Sequence, residues 1–291
     1  MCIRDRRYRQ DKSVTYIYDI FSKKLTEVAP FTVDLLLPSG AENLNYVLYT
    51  DESPYKMQRE WLDRLPFDIY SVNVHTGAKR LIGRSYRTAP KWSVNGKWAV
   101  MYDPIAQVWN KFDGATGKVV NISDAIGYPM FVESYDQPAP APAYGIAGWT
   151  ADGNHVFLYD AYDWWKVDLT GERQPECLTK GYGRKHGKSI RKMTSNIDKD
   201  VFQKDETVIV SLWDKNTMDE GVYQLDMKGR LKKLMEGPYT YNIYRFSDNH
   251  KYCVWNRQNI TEFRDLWWSK ADFSNPVMVT NVNPQQADYK W

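Results

Sequence analysis

Short apolar runs alternate with polar turns along this chain, and the pattern is clearest between Tyr144 and Glu172. Two strand-like runs lie there, Val156–Tyr159 and Tyr162–Val167. They are preceded by a turn at Asp152-Gly153 and followed by a second at Asp168 to Gly171. Asp-Gly between apolar runs favours a hairpin, because Gly tolerates a positive φ and Asp hydrogen-bonds its own backbone. This stretch is predicted to form one complete antiparallel β unit.

The second turn of that unit recurs along the chain. The Asp or Asn that marks it occurs at Asp19, Asn73, Asp113, Asp168, Asp226 and Asp272. The intervals run from roughly 40 to 58 residues, and each repeat has room for several strands. That period is typical of propeller blades, each of which must stack on its neighbours to bury its faces.

The repeats predict an all-β fold, a β-propeller of four-stranded antiparallel blades. Five nearly whole blades are expected at about 33–83, 86–123, 143–180, 200–236 and 243–281. Residues 13–28 look like the outer hairpin of an earlier blade, so the ring is expected to be incomplete. The expected domain division is a non-native or disordered start at 1–12, the propeller at 13–283 and the start of a connection at 284–291.

Helical patterns are weak throughout the sequence. The best candidate, Tyr55 to Leu65, ends before Pro66 and is interpreted as a loop excursion within a blade. The Pro-rich run Gln137 to Pro142 is interpreted as a polyproline-II loop between blades. The basic stretch Lys180 to Lys192 is interpreted as a solvated loop, with an anion or partner site as the alternative.

Composition narrows the class of protein. Of the 291 residues, 43% are hydrophobic and 15% aromatic, which is enough for a sizeable core and excludes a disordered chain. The net charge of +3 gives no long-range field for nucleic acid or an anionic membrane. No apolar run reaches 18 residues, so no transmembrane helix is predicted.

The N-terminal run and the cysteines give no evidence for a signal peptide or a metal site. MCIRDRRYRQ has no apolar core of a signal peptide and resembles adapter-derived sequence, so Met1 to about Arg6 is interpreted as non-native. The cysteines Cys2, Cys177 and Cys253 have no metal-ligand spacing. A Cys177–Cys253 disulfide is disfavoured because the two residues fall in different repeats.

Motifs of known chemistry are absent from the sequence. The runs Gly83 to Arg87 and Gly187 to Arg191 each lack the second Gly of the G-x-S-x-G nucleophile elbow. The run Gly187-Lys188-Ser189 matches the end of a P-loop, but Tyr182 stands where the first Gly is needed, so nucleotide binding is not predicted. The four histidines are isolated, so no zinc site is predicted. No cofactor is expected.

Two residue clusters allow two interpretations each. The carboxylates Asp152, Asp160, Asp163 and Asp168 are interpreted as structural, with Asp152 and Asp168 in turns, and general acid–base work cannot be assigned without geometry. The pairs Trp164-Trp165 and Trp267-Trp268 could form an aromatic binding surface. Adjacent strand residues point to opposite faces, however, so one tryptophan of each pair is expected in the core.

Two longer runs carry a family resemblance. The run from Pro138 through Asp168, with YGIAGWT and LYDAYDWWKVD, resembles the propeller of bacterial prolyl oligopeptidase family serine peptidases of the Bacteroidetes type. The run from Thr261 to Trp291 resembles their final blade and its exit toward the hydrolase domain. Phe67 to Tyr70 and His75 to Gly77 also fit this family.

The resemblance implies a seven- or eight-bladed propeller followed by an α/β-hydrolase domain that carries Ser, Asp and His. This sequence stops at Trp291, about where that domain would begin, so no catalytic residue is assigned here. The substrate-binding site is unknown, and Glu133, in a suggestive loop, is its one weak candidate. By the same resemblance the parent enzyme is expected to be periplasmic or secreted.

The expected function is the non-catalytic propeller part of such a peptidase, which restricts and shapes substrate access and is inactive alone. The expected partners are a peptide substrate and the C-terminal α/β-hydrolase domain of the parent chain, with neither nucleic acid nor membrane. The alternative is a stand-alone propeller that binds a protein or ligand, of the TolB or WD-repeat type. A five-bladed glycoside-acting enzyme is a third hypothesis and requires inward-facing carboxylates.

Overall fold

The computed structural model describes residues 14–30, 35–38, 45–62, 64–197 and 199–289. Strands dominate these ranges and form one two-stranded hairpin and five larger sheets. Residues 1–12, predicted as a non-native or disordered start, lie outside the described residues. The chain separates into two compact units, each with its own core.

Unit 1 comprises residues 1–143 and the turns 152–154 and 169–171. Its first described element is the hairpin of β1 (Thr15–Asp19) and β2 (Lys24–Ala29). The strands of blade 1 are β3 (Leu35–Leu37), β4 (Tyr46–Asp51), β5 (Phe67–Asn73) and β6 (Lys79–Tyr86). The strands of blade 2 are β7 (Lys91–Trp92), β8 (Trp98–Asp103), β9 (Val108–Asp113) and β10 (Val119–Asn121).

Strand β4 shows why the unit is built in layers. Its residues alternate between two cores, as the two-residue period of a strand requires. Leu48 packs with Ile69 and with the blade 2 residue Phe112, whereas Val47 and Tyr49 pack with Val28 of the hairpin. Both faces of blade 1 are therefore buried against a neighbouring sheet.

Unit 2 comprises residues 144–151, 155–168 and 172–291. The strands of blade 3 are β11 (Ile146–Thr150), β12 (His155–Tyr159), β13 (Trp164–Asp168) and β14 (Glu176–Cys177). The strands of blade 4 are β15 (Lys188–Lys192), β17 (Thr207–Asp214), β18 (Glu220–Asp226) and β19 (Leu231–Gly237). The strands of blade 5 are β20 (Thr240–Phe246), β21 (Tyr252–Gln258), β22 (Asp265–Lys270) and β23 (Val277–Met278).

The remaining elements are short. Strand β16 (Val201–Phe202) lies between β15 and β17, and the single α-helix of the described residues is α1 (Tyr182–His186). The 3₁₀ helices are Ser53–Glu60, Asp124–Ile126 and Pro284–Asp288. Within the described ranges, no helix has the length and hydropathy of a membrane span.

Strand β16 adds a fifth strand to blade 3 rather than to its own blade. It pairs in parallel with β11, placing Trp149 opposite Val201 and Thr150 opposite Phe202. The Trp149 N–H donates to Asp200 O at 2.7 Å, and the Ala151 N–H donates to Phe202 O at 3.0 Å. This pairing covers the edge of β11, which would otherwise expose a row of unpaired backbone groups.

The fold confirms the predicted all-β class of four-stranded antiparallel propeller blades, with five blades and the hairpin of a sixth. One boundary was wrong. The fourth blade begins at Lys188 and not near residue 200, because the basic run forms its first strand. Lys180 to Lys192 is therefore not a solvated loop, since it contains α1 and β15, and its one β-branched apolar residue, Ile190, is fully buried.

Candidate functional site

The order of strands gathers certain loops at one end of each blade. In an antiparallel four-stranded sheet, the turn between the second and third strands leaves from the same end as the connection that follows the fourth strand. We call this the exit end. In unit 1 the described exit-end segments are 52–62 with 64–66, 87–90, 104–107 and 122–143.

All four exit-end segments contribute to one cleft, the unit 1 cleft, with a volume of about 460 Å³. Most of its lining residues are aromatic, aliphatic or proline, and two arginines, a threonine and a glutamine complete the lining. The lining residues are Trp61, Leu62, Arg64, Arg87, Thr88, Tyr102, Pro104, Tyr135, Gln137, Pro138, Ala139, Pro140 and Pro142. This volume lies within the range that is common for ligand pockets in proteins.

Tyr102, near the end of β8, fixes the floor of the cleft. Its side chain is buried, its ring packs against Trp109 at a centroid distance of 5.4 Å, and its Oη donates to Ala141 O at 3.1 Å. Burial, with a smaller effect from the nearby charge of Asp103, raises the pKa of Tyr102 to about 12. The hydroxyl therefore stays protonated and holds the Pro-rich run onto blade 2.

The Pro-rich rim is held without regular secondary structure. Phe131 and Ala143 form an isolated antiparallel bridge, and the Val132 N–H donates to Pro142 O at 2.8 Å. The Tyr135 Oη donates to Gln137 Oε1 at 3.3 Å. Proline fixes φ, so this rim loses little conformational freedom when a ligand binds. The run lies between β10 and β11, as predicted for a loop between blades.

The opposite rim is the segment after β4. Its 3₁₀ helix Ser53–Glu60 has Pro54 in its first turn and is tied to blade 1 by Tyr55, whose Oη donates to Asp68 Oδ1 at 2.5 Å. The Leu62 N–H donates to Gln58 O at 3.0 Å and continues the turn. Trp61 follows the helix with 69% of its side chain exposed. The predicted loop excursion is thus a short helix that presents an indole at the cleft.

The charged side chains among the described lining residues of the cleft have one sign. Arg64 and Arg87 are the charged side chains among the described lining residues, and no Asp, Glu, His or Cys accompanies them. Thr88 accordingly has no general base beside it among those residues. The arrangement offers guanidinium donors next to apolar walls, which suits the binding of a ligand.

Glu133 lies exposed in a turn of the 122–143 segment. It is not among the described residues that line the unit 1 cleft. Its assignment to substrate binding stays a prediction.

Asp160 and Asp163 of blade 3 are structural. Asp160 is fully buried, and its carboxylate accepts from the Tyr162 N–H at 2.7 Å and from the Arg184 guanidinium at 3.0 Å. Asp163 accepts from Thr179 Oγ1 at 2.6 Å and from the Gly183 N–H at 2.9 Å. These bonds attach the start of α1 to the turn between β12 and β13.

Arg191 closes the same network. Its guanidinium donates to Asp160 O at 2.7 Å and Ala161 O at 3.3 Å, and it lies over the rings of Tyr144 and Tyr159. Burial lowers the pKa of Arg191. The predicted alternative of an anion site in this basic stretch finds no support at Arg191, because carbonyl oxygens and aromatic rings already surround it.

Asp152 and Asp168 have the predicted turn role. Asp152 Oδ1 accepts from the Asn154 N–H at 2.9 Å. Asp168 Oδ2 accepts from the N–H groups of Glu172 and Arg173 at 3.0 and 2.9 Å. Such bonds fix the turn geometry, and this structural role accounts for the presence of both carboxylates.

The tryptophan pairs split as strand geometry requires. Trp164 is fully buried and its Nε1 donates to Ile190 O at 3.2 Å, while Trp165 is only partly buried. Trp267 stacks on Trp255 at 5.6 Å, whereas Trp268 is 39% exposed. One member of each pair thus packs in a core, which confirms the preferred interpretation.

The two described cysteines are unpaired, and the serines of the two near-miss motifs lie in strands. Cys177 and Cys253 are free thiols, and burial raises the pKa of each. Ser85 lies in β6 and Ser189 in β15, so neither occupies the strand-to-helix turn of a nucleophile elbow. Within the described ranges, no three His, Cys, Asp or Glu side chains are grouped as metal ligands would be.

The chain is similar in structure to known propeller proteins, at low sequence identity. No protein-family model matches the chain, and no curated protein matches it either. Among solved structures, the chain is similar to Porphyromonas gingivalis dipeptidyl peptidase 4, at 12% identity and a TM-score of 0.48 over 94% of this chain and 43% of that one.

Two further similar structures cover most of both chains. One is a TolB-like protein from Agrobacterium tumefaciens, at 13% identity and a TM-score of 0.37 over 92% of this chain and 88% of that one. The other is the β-propeller domain of the Trilobed protease from Pyrococcus furiosus, at 11% identity and a TM-score of 0.30 over 94% and 91%. Likenesses this distant do not bear on the function of this chain.

Proposed function

We propose that this chain is the non-catalytic propeller part of a prolyl oligopeptidase-like serine peptidase, in which it holds and directs peptide substrates. The observation that carries the proposal is the unit 1 cleft, with its volume of about 460 Å³, its aromatic and proline walls and no general base among its described lining residues. Aromatic side chains on preorganised walls are the surfaces on which extended peptides pack. The runs Pro138–Asp168 and Thr261–Trp291, which resemble the propeller of that family, support the same assignment.

In this proposal peptide binding and peptide hydrolysis belong to different domains of the parent chain. The exit-end loops select and orient a peptide, and hydrolysis belongs to a C-terminal α/β-hydrolase domain of the parent chain. The propeller also restricts the access of large folded proteins to that domain. Peptide substrate and hydrolase domain are therefore the proposed partners.

The test compares the 291-residue chain with the product of the complete reading frame that contains it. Both are offered a chromogenic proline-containing peptide. We expect hydrolysis by the complete product and none by the 291-residue chain. Hydrolysis by the 291-residue chain, or a complete frame that encodes no G-x-S-x-G elbow, would refute the peptidase assignment.

The same experiment separates the alternative function. A stand-alone propeller of the TolB or WD-repeat type would use the same cleft for a protein or ligand without any hydrolase partner. A complete frame that ends near residue 291, combined with peptide binding to the chain, would establish that alternative.

A further inference from the structure

The unit 1 cleft carries positive charge that the described residues do not neutralise. Neither Arg64 nor Arg87 forms an ion pair or a side-chain hydrogen bond within the described ranges. Two arginines of unit 2 are paired with carboxylates: Arg184 pairs with Asp160 at 3.0 Å, and Arg257 pairs with Glu262 at 2.8 Å. The two cleft arginines thus differ from these arginines of unit 2.

We propose that the cleft binds a carboxylate of its peptide ligand, with an apolar side chain beside it. The carboxylate lies toward Arg64 and Arg87, and the apolar side chain packs between Trp61 and the Pro-rich rim. This inference rests on the proposed function, that the cleft holds peptides. It adds the chemical class of peptide that the cleft prefers.

The geometry of the arginine side chain favours a carboxylate. Guanidinium is planar and presents parallel N–H donors that match the two carboxylate oxygens, and it is weakly hydrated, so it loses little when it moves next to apolar walls. No acidic side chain among the described lining residues competes for these donors.

The apolar walls exclude a bare anion as the best ligand. An inorganic anion would engage the two arginines and leave Trp61, Tyr135 and Pro140 without a partner. A peptide carboxylate next to an aromatic or proline residue covers both kinds of surface. The carboxylate can come from an Asp or Glu side chain or from the peptide's C-terminus.

Calorimetry with three hexapeptides tests the proposal and distinguishes the two sources. The first is Ac-Gly-Pro-Phe-Glu-Pro-Gly-amide, the second has Gln in place of Glu, and the third is the Gln peptide with a free C-terminal carboxylate. We expect the neutral Gln amide to bind about tenfold more weakly than at least one acidic peptide, the difference typical of a charge-assisted hydrogen bond. The stronger acidic peptide identifies the source.

Variants of the 291-residue chain assign the effect to the cleft. Arg87→Gln and Arg64→Gln should remove most of the tenfold preference for the acidic peptide over the neutral one. Arg84→Gln is the matched control, because Arg84 is exposed on β6 and does not line the cleft. Trp61→Ala should weaken all three peptides alike, since the indole contacts the apolar part. Unchanged melting temperatures confirm that each variant is folded.

The outcomes separate the two proposals. Equal binding of all three peptides, weakened by Trp61→Ala and unaffected by both cleft arginine variants, overturns the carboxylate preference and retains peptide binding. A preference that Arg84→Gln removes as fully as Arg87→Gln also overturns it, because the effect is then general electrostatics. Binding of none of the three peptides overturns peptide binding and the preference together.

Discussion

Replacing Gly229 by Ala tests how closely blade 4 packs on blade 3. Gly229 lies in the turn between β18 and β19, and its φ of +81° is in the left-handed region. A Cβ built on it would lie 1.8 Å from the backbone oxygen of Leu178, just after β14. Backbone cannot swing aside as the end of a flexible side chain does, so the whole turn must move.

The expected loss has two parts. Holding Ala in the left-handed region costs about 1–2 kcal/mol. Separating the new methyl group from the Leu178 oxygen displaces a packed turn, and overpacking of this kind costs about 1–3 kcal/mol. We therefore expect Gly229→Ala to lower the free energy of unfolding by about 2–5 kcal/mol.

Gly181→Ala is the matched control, because Gly181 has a φ of +70° and a Cβ there would meet no atom within 4 Å. This variant should cost the conformational part alone, about 1–2 kcal/mol. Urea unfolding of the two variants, with the slope m unchanged, isolates the contribution of close packing. Equal losses from both variants would refute the packing argument.

Two further perturbations follow from the same structure. Asp163→Ala leaves two buried donors, Thr179 Oγ1 and the Gly183 N–H, without their acceptor. Urea unfolding should show a free energy of unfolding that is lower by about 2–6 kcal/mol. The control Asp214→Ala, in an exposed turn, should lower it much less, and comparable losses would contradict the structural role of Asp163. Burial raises the pKa to about 12 in four tyrosines, Tyr49, Tyr86, Tyr102 and Tyr241. Because the unfolded chain deprotonates first, the stability that these tyrosines contribute is complete below about pH 10 and is lost as the pH rises to about 12. Melting temperatures measured across that interval should fall, and Tyr241→Phe should make the fall shallower; a flat profile would refute the assignment.

The blades could be predicted from sequence because their turn signals are local. Asp113 Oδ1 accepts from the N–H groups of Ala115 and Thr116 at 2.8 and 3.1 Å, a bond that needs only residues two and three positions ahead. Asn73 and Asp226 make the same kind of bond in the corresponding turns of blades 1 and 4. In these three blades the motif marks the turn between the third and fourth strands.

The first strand of blade 4 could not be found in this way. Lys188–Lys192 reads as a charged loop, and its burial depends on distant partners: Ile190 packs in the core of unit 2, and Lys188 pairs with Glu236. The charges of such a run indicate a loop when the sequence is considered locally, because the residues that neutralise them are distant in the chain.

The unit 1 cleft was missed for a related reason. Its walls come from segments as far apart as Trp61 and Pro142, and no single segment carries a recognisable motif. The signals were present separately, as a Pro-rich run and an interrupted blade. Only the antiparallel strand order places the Pro-rich run and the segment that interrupts blade 1 at the same exit end.

The fifth strand of blade 3 has a consequence for how this chain can be inherited and rebuilt. Because β16 is encoded within blade 4, the segment that a gene duplication would copy, Lys188–Gly237, differs from the segment that folds together. Deleting or transplanting that block removes two backbone hydrogen bonds from Trp149 and Ala151 and opens an edge on β11. Blade 4 is therefore not a freely exchangeable module, and a chimera that replaces it must also supply a strand for blade 3.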